Sequence, residues 1–583
     1  MNYFNKLNNI IGWLIFLLAS MVYIITSEPT ASFWDCGEYI ATAYKLQVGH
    51  PPGAPLFQLL GRFFSLFAFG DTALVARMVN TMSALSSSFT ILFLYWSIVM
   101  LARKLYEKGK ELQRGHMFAI FGAGIVGSLA YTFSDSFWFS AVEGEVYAMS
   151  SFFTAIVFWA ILKWERISDE KHSDRWLILI AYLMGLSIGV HLLNLLAIPA
   201  ITLVYYYKRF NPTRKGAIIA FGASIVILSA VMYGIIPEVV KLFATTELLF
   251  VNSLGLPFHT GTVFFALLLI GLLAAGILYN RRKIPSMLIL VYVLGGIMAL
   301  LILLESSSAG SFLIRLIVVG AVAAMFWFTR TKGAMQNTII LSIVFLLIGY
   351  SSFIMLIIRS NAATPINENS PKDAISLLSY LNREQYGDWP KIYGQYYNAE
   401  VIERKDGNPV YRRDNRAGEY VIIDKKKGTV SVYDPRHMTI FPRMWNNTEQ
   451  RYINDYKNWA GISNDPDSEK IPTFGENLQY FFRYQLGHMY WRYFMWNFTG
   501  RQNDLQGGYG NLINGNWISG ITFLDEARLG PQTGLPDNFK NDARNKFYFL
   551  PMILGIIGLV FHFRRSSRDG WVVALLFLMT GMA

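Results

Sequence analysis

Two carboxylates, Asp35 and Glu38, stand just past the first membrane-length apolar run, in Ser32-Phe33-Trp34-Asp35-Cys36-Gly37-Glu38-Tyr39, and a Gly49-His50-Pro51-Pro52-Gly53 turn follows closely. Acidic groups are costly beside hydrocarbon, so there they mark a working site or line a watery cavity. Three more polar clusters fall at the ends of apolar runs. Glu143 and Glu145 flank Gly144 just before Tyr147, His191 and Asn194 occupy a turn between two runs, and Arg359 with Asn361 leaves a third. Carboxylates and a cation at one water–lipid boundary suit transfer of a group from a lipid-phosphate donor to a hydroxyl. Asp35 or Glu38 would take the acceptor's proton as general base. Arg359 would hold the departing phosphate in its planar fork. His50, His191 and helix termini would steady the developing charge, with Glu143, Glu145, Tyr147, Asn194 and Asn361 lining the substrate site.

Each group also has a plainer reading. Glu143 and Glu145 could solvate a loop, His191 could be a hydrogen-bonded packing residue, and Arg359 could anchor a span by snorkelling. Asp35 and Glu38 are the hardest to read that way, because aromatic and glycine neighbours surround them.

Membrane-crossing elements must position these residues. The 583 residues are 53% hydrophobic and only 15% charged, with a mean hydropathy of +0.33, whereas soluble domains carry about 25% charge. Repeated long apolar stretches predict a polytopic α-helical membrane protein, since lipid tolerates only backbones that satisfy themselves. Thirteen spans are expected, near 9–27, 72–101, 116–134, 147–163, 176–191, 192–207, 216–236, 262–280, 285–304, 312–329, 336–358, 548–563 and 570–583. With that count, seven basic clusters all fall on one side: Lys6, Arg103-Lys104 with Lys108 and Lys110, Lys163 with Arg166, Lys208 to Lys215, Arg281 to Lys283, Arg330 with Lys332, and Arg564-Arg565. The positive-inside rule makes that side, and the N-terminus, cytoplasmic. The 28–71 and 135–146 loops and the long 359–547 segment then lie outside. That segment holds 24 Lys+Arg and 22 Asp+Glu, so +10 of the net +12 arises elsewhere and reports orientation; no nucleic-acid partner is implied.

Residues 1–27 read as an uncleaved signal anchor, with no small-x-small cleavage site after them. Cys36 is the sole cysteine, excluding an internal disulfide, and its context predicts a buried, inert thiol. The final apolar run, Trp571–Ala583, is short for a span, so the protein is expected to continue and re-emerge outside. Residues 54–69 are apolar but interrupted by Gln58 and Arg62, which suits a helix lying in the outer interface. The 359–547 segment predicts a small α+β domain. Tyr420–Ile423 and Thr429–Tyr433 read as strands, with Lys425-Lys426-Lys427-Gly428 as the hairpin turn between them. The aromatic run from Tyr480 to Phe498 suits an interfacial helix, with a domain core as the alternative. No phosphate-binding glycine loop, nucleophile elbow or Cys/His cluster is present. No cofactor is called for, and although acid pairs can hold a divalent cation, nothing here demands one.

The Trp34-Asp35-x-Gly-Glu38 and Gly49-His50-Pro51-Pro52-Gly53 elements, Glu143-Gly-Glu145-Val-Tyr147, Pro365-Ile-Asn-Glu-Asn-Ser-Pro371 and the Arg492–Asp504 stretch resemble one family. It comprises large bacteroidete inner-membrane proteins grouped with the GT-C glycosyltransferases, and is similar in turn to protein O-mannosyltransferases. The resemblance implies a GT-C-like transmembrane domain over 1–358, a catalytic acid in the first outer loop and a polyprenyl-phosphate sugar donor. It further implies inversion at the sugar carbon, an exported protein or glycan as acceptor, and a periplasmic active site in a bacterial inner membrane. By that analogy Asp35 is the base, and Glu38 orients it or serves a second site. The rival reading is a lipid-linked-glycan transporter or a non-catalytic export or assembly subunit, but the matched inverted halves common in transporters are not visible here.

Overall fold

The computed structural model describes residues 2–106, 112–305, 308–329, 331–386, 390, 392–405, 409–424, 430–441, 449–463, 470–539 and 541–582. Among these, nine helical segments are long and apolar enough to cross a membrane: Tyr3–Ile25, Thr72–Tyr106, Arg114–Thr132, Val146–Ile167, Arg214–Ser253, Thr260–Arg282, Pro285–Leu304, Ala309–Thr329 and Gly333–Asn361. The chain is a polytopic helical membrane protein with a strand-bearing part after the eleventh expected span. The other four expected spans correspond to shorter helices, Arg175–Ile188, Ile198–Arg209, Leu550–Arg565 and Ser567–Met582. The first two are shortened because Gly189 ends one helix and the chain turns through a 3₁₀ segment, Leu192–Ala197, before Pro199 opens the next.

The expected span at 216–236 is one part of a longer rod. Helical structure runs from Arg214 to Ser253, 40 residues, or roughly 60 Å, about twice the hydrocarbon thickness. Its turns widen over Ala230–Ile235, just ahead of Pro237, whose missing N–H removes a rung of the hydrogen-bond ladder. The upper part, Ile236–Leu248, packs on the outer helix Ala374–Leu381.

Charge ties the two rims of the bundle. At one rim, Lys104 Nζ pairs with Glu165 (2.8 Å) and Asp569 (2.5 Å), joining three helices. That pairing, and the buried Val572, seat the short helix Ser567–Met582 within the bundle. Arg315 bridges Glu238 and Glu305, and Lys241 also meets Glu305.

The strands form four two-stranded antiparallel ladders among the described residues. Strand positions agree with the sequence reading, but their pairing differs. Glu419–Asp424 pairs with Val410–Asp414, and Val430–Tyr433 pairs with Val401–Lys405. The turn that closes the first hairpin is built instead at Asp414–Gly418, where Gly418 adopts φ +76° and its N–H donates to Asp414 O (2.9 Å). The expected Lys425–Gly428 turn lies outside the described residues. The aromatic run is one helical rod from Phe474 to Phe498. Along it, Arg492, Met495 and Trp496 are buried, while Phe482 and Trp491 are exposed.

A close helix crossing joins Arg175–Ile188 to Gly333–Tyr350. A Cβ on Gly185 would lie 2.1 Å from Leu346 O, and one on Gly349 would lie 2.5 Å from Leu186 N. Backbone meets backbone there, so a side chain must force the helices apart. Gly185→Val should cost about 1–3 kcal/mol or more and lower the melting temperature of the detergent-solubilised protein. Gly222→Ala, on a helix face with nothing within 4 Å, should leave it unchanged.

Candidate active site at the outer carboxylate loop

A ten-residue helix, Cys36–Lys45, carries the first acids. Trp34 enters it in the left-handed region (φ 59°), and Asp35 occupies the N-cap position without spending its carboxylate on a cap hydrogen bond. Asp35 is therefore open, its side chain 58% exposed. Glu38, one turn on, is engaged. His50 N–H donates to its Oε1 (2.6 Å), and His50 Nδ1 lies 3.1 Å from its Oε2. The other ring nitrogen, Nε2, is 3.9 Å from Asp35 Oδ2. The imidazole thus stands between the two carboxylates.

The loop reaches this close because residue 49 is glycine, whose added Cβ would fall 2.5 Å from Glu38 Oε1. The loop is also pinned from far along the chain. Tyr380 O–H donates to Gly49 O (2.7 Å), Val48 N–H to Ile366 O (3.1 Å), and Glu368 N–H to Val48 O (3.0 Å).

Electrostatics separate the acids. Burial would raise the Glu38 carboxyl, but the His50 hydrogen bonds outweigh it and hold the group below its ordinary range. The same hydrogen bond raises His50, overcoming the opposing effect of burial. Glu143 and Glu145 are buried in a tight turn where Glu145 N–H donates to Glu143 O (2.9 Å). Burial raises both, Glu145 to about 7 with help from the negative charge of Asp35. Cys36 is fully buried, donates its Sγ–H to Glu143 Oε2 (3.6 Å), and is pushed well above the usual thiol range by burial.

The structure therefore gathers Asp35, Glu38, His50, Glu143 and Glu145. Tyr147 adjoins through its electrostatic contact with Glu145 and Asp35, and its ring lies 5.6 Å from that of His191. His191 accepts Leu193 N–H on Nδ1 (3.2 Å), starting the 3₁₀ turn. Three expected residues point elsewhere. Asn194 is buried, donating to Ser187 Oγ (3.0 Å). Asn361 donates to the carbonyls of Ile357 and Lys372. Arg359 donates to Leu46 O (2.5 Å) and Lys45 O (3.1 Å), at the far end of the acid helix. Ten residues at 1.5 Å put it about 15 Å from Asp35. Acids and arginine thus occupy opposite ends of one helix, because its last carbonyls need donors and Arg359 supplies them.

Three site residues escaped the sequence reading. Glu368 is raised by burial and by Glu38, so it borders the His50 cluster. Tyr39 packs its ring edge-on to His50 (5.5 Å) and Phe57 (5.3 Å), and Tyr380 holds the loop. Glu368 sits in the Pro365–Pro371 motif, a usable signal, but nothing local says that this motif pairs with residues 47–49. Among the described residues, no three His, Cys, Asp or Glu side chains are grouped to hold a metal ion.

Comparison with known proteins bears on the same stretch. Residues 35–214 match the family model described as the protein O-mannosyl-transferase TMEM260 N-terminal domain. Residues 387–482 match a family of unknown function, DUF8416. Protein O-mannosyl-transferase tmem260 of Dictyostelium discoideum is 28% identical over 31% of this chain and 21% of its own length. Protein O-mannosyl-transferase TMEM260 of Mus musculus is 26% identical over 30% of this chain and 22% of its own. The chain thus spans about a fifth of these curated relatives. The family match begins at Asp35 and takes in Glu38, His50, both buried glutamates and His191. Over residues 35–214 the chain is therefore similar to proteins that carry the TMEM260 N-terminal domain.

Proposed function

We propose that this protein is an integral-membrane glycosyltransferase that moves a sugar from a polyprenyl-phosphate carrier to a hydroxyl of an exported protein. The transfer takes place on the periplasmic face of a bacterial inner membrane. The names of the curated relatives make mannose the first sugar to test. One observation carries the reading: an open Asp35 beside an imidazole that a second carboxylate, Glu38, orients and whose protonated form it favours. Asp35 accepts the proton of a Ser or Thr hydroxyl as that oxygen attacks the anomeric carbon. The carbon–oxygen bond to phosphate breaks, its electron pair leaving on the lipid phosphate, and the sugar inverts. His50, whose Nε2 lies 3.9 Å from Asp35 Oδ2, offsets in its protonated form the charge gathering on the departing phosphate. Glu38 is already engaged by His50, so it positions that ring and leaves the proton to Asp35.

Asp35→Asn should lower transfer about 10²–10⁴-fold in an assay with purified protein, polyprenyl-phosphate mannose and a Ser/Thr peptide, with an unchanged melting temperature. Glu38→Gln should lose less. Undiminished turnover by Asp35→Asn would remove the base from the mechanism, and donor binding without any turnover in the wild type would favour the transporter or assembly reading.

The Glu38–His50 contact also sets a pH signature. His50 is raised on folding, so its stabilisation is complete below about 6.5 and fades as pH climbs through the raised value. Glu38 is lowered, so its share is present above about 4.3 and fades as pH falls. The melting-temperature gap between wild type and His50→Gln should therefore be widest between these limits and narrow on both sides. A gap independent of pH would contradict the ion-pair description.

A further inference from the structure

A cleft of about 510 Å³ opens at the end of the acid helix remote from Asp35, lined by Tyr44, Lys45, Gln47, Arg62, Arg359 and Thr364 among others. Three of these are cations, and no carboxylate is among its lining residues. The two guanidinium groups are held in place by backbone carbonyls: Arg62 Nη1 donates to Tyr44 O (2.8 Å), and Arg359 uses Nε and Nη2 on Leu46 and Lys45. Those contacts fix the forks while drawing on one nitrogen of Arg62 and two of Arg359. Lys45 is exposed.

We propose that this cleft is a binding site for a phosphate-bearing anion, open to the headgroup of an anionic lipid. Pre-oriented guanidinium forks bind phosphate through paired N–H donors, and a nearby ammonium adds a point charge. The surroundings favour a lipid source. Arg62 belongs to the surface helix Pro55–Ser65, which buries Phe57, Gln58 and Gly61 and exposes Leu59 and Phe63. Leu66, Phe67 and Phe69 extend that exposed apolar face. A helix with this division lies in the bilayer interface, where its cations meet the headgroup layer.

The site is separate from the transfer chemistry. Base, acceptor oxygen, anomeric carbon and donor phosphate are successive atoms a few bond lengths apart, whereas the cleft lies about 15 Å from Asp35 along the helix. It does not depend on the transferase reading, and its test involves no turnover.

Native mass spectrometry of the purified full chain, exchanged from vesicles of phosphatidylcholine with or without phosphatidylglycerol, reads this out directly. The wild type should retain phosphatidylglycerol in preference to phosphatidylcholine. Lys45→Glu should weaken that retention about tenfold at an unchanged melting temperature, and Lys45→Gln replaces it if the reversal disturbs folding. Adding inorganic phosphate separates the sources. Retained lipid that resists phosphate identifies a headgroup site, while inorganic phosphate that displaces it, and itself depends on Lys45, identifies a site for the free anion. Equal retention of the two lipids, or retention of phosphatidylglycerol indifferent to Lys45 substitution, overturns the proposal.

Discussion

The geometry of the site depends on how Cys36–Lys45 is held. Ten residues are too few for a helix to persist unaided in water. This one survives because its interior side is packed and its ends are occupied. Cys36, Ile40, Thr42 and Ala43 are buried. Gly61 lets the surface helix approach until an added Cβ would fall 2.8 Å from Ala43 Cβ. At the C-terminus, Leu46 turns left-handed (φ 46°) and the carbonyls of residues 44–46 accept from Arg62 and Arg359. Cations thus sit at the negative pole of the helix dipole and carboxylates at the positive pole, so both sets of charges stabilise the same short element. Because one arginine comes from the surface helix and the other from the helix leaving the bundle, the acids are positioned by two otherwise distant parts of the protein.

Five carboxylates crowd this corner, and environment gives them different characters. Glu38 is held below its ordinary range by its hydrogen bonds to His50, against the effect of burial. Glu143, Glu145 and Glu368 are shifted upward, chiefly by burial. Asp35 alone combines exposure with an adjacent imidazole. If all five were charged, their mutual repulsion in a half-buried pocket would oppose folding. Raising Glu145 to about 7 relieves part of that repulsion near neutral pH without removing a proton acceptor from the exposed edge. The arrangement divides labour by burial, with residue type held almost constant.

The membrane class, the strand locations and the acids were legible in the sequence because each leaves a local signature: apolar run length, β-branched stretches, or a carboxylate beside hydrocarbon. The assignments that moved were those that depend on non-local geometry. Arg359 follows the expected span by one residue, and no local rule says that its guanidinium will be anchored on the last carbonyls of a helix more than 300 positions earlier in the chain. The 430–433 strand shows the same limit. Its pattern marks it as a strand, but its partner at 401–405 is set by the intervening Asp414–Gly418 turn. Lone helix ends and tight turns compete for the same few donors, and the winner is decided only in three dimensions.

That non-locality bears on what the matched domain can do by itself. Residues 35–214 contain the acids, the imidazole and the buried glutamates, yet the loop carrying His50 is fastened by groups beyond that range. Tyr380 and the Ile366–Glu368 segment supply its hydrogen bonds, and Arg359 supplies the cap. Tyr380 lies on Ala374–Leu381, the helix that packs on the upper part of the long rod from Arg214. That rod in turn meets the strand region, where Asn252 exchanges two hydrogen bonds with the Tyr420 backbone (2.7 and 3.0 Å). Buried Glu247 adds contacts to the His259 N–H and the Tyr420 hydroxyl. The strand-bearing part is therefore joined to the site through a continuous chain of packed and hydrogen-bonded elements. Separating residues 35–214 from the rest would leave the acids and the Glu38–His50 contact in the chain but remove the hydrogen bonds that pin the 48–50 backbone.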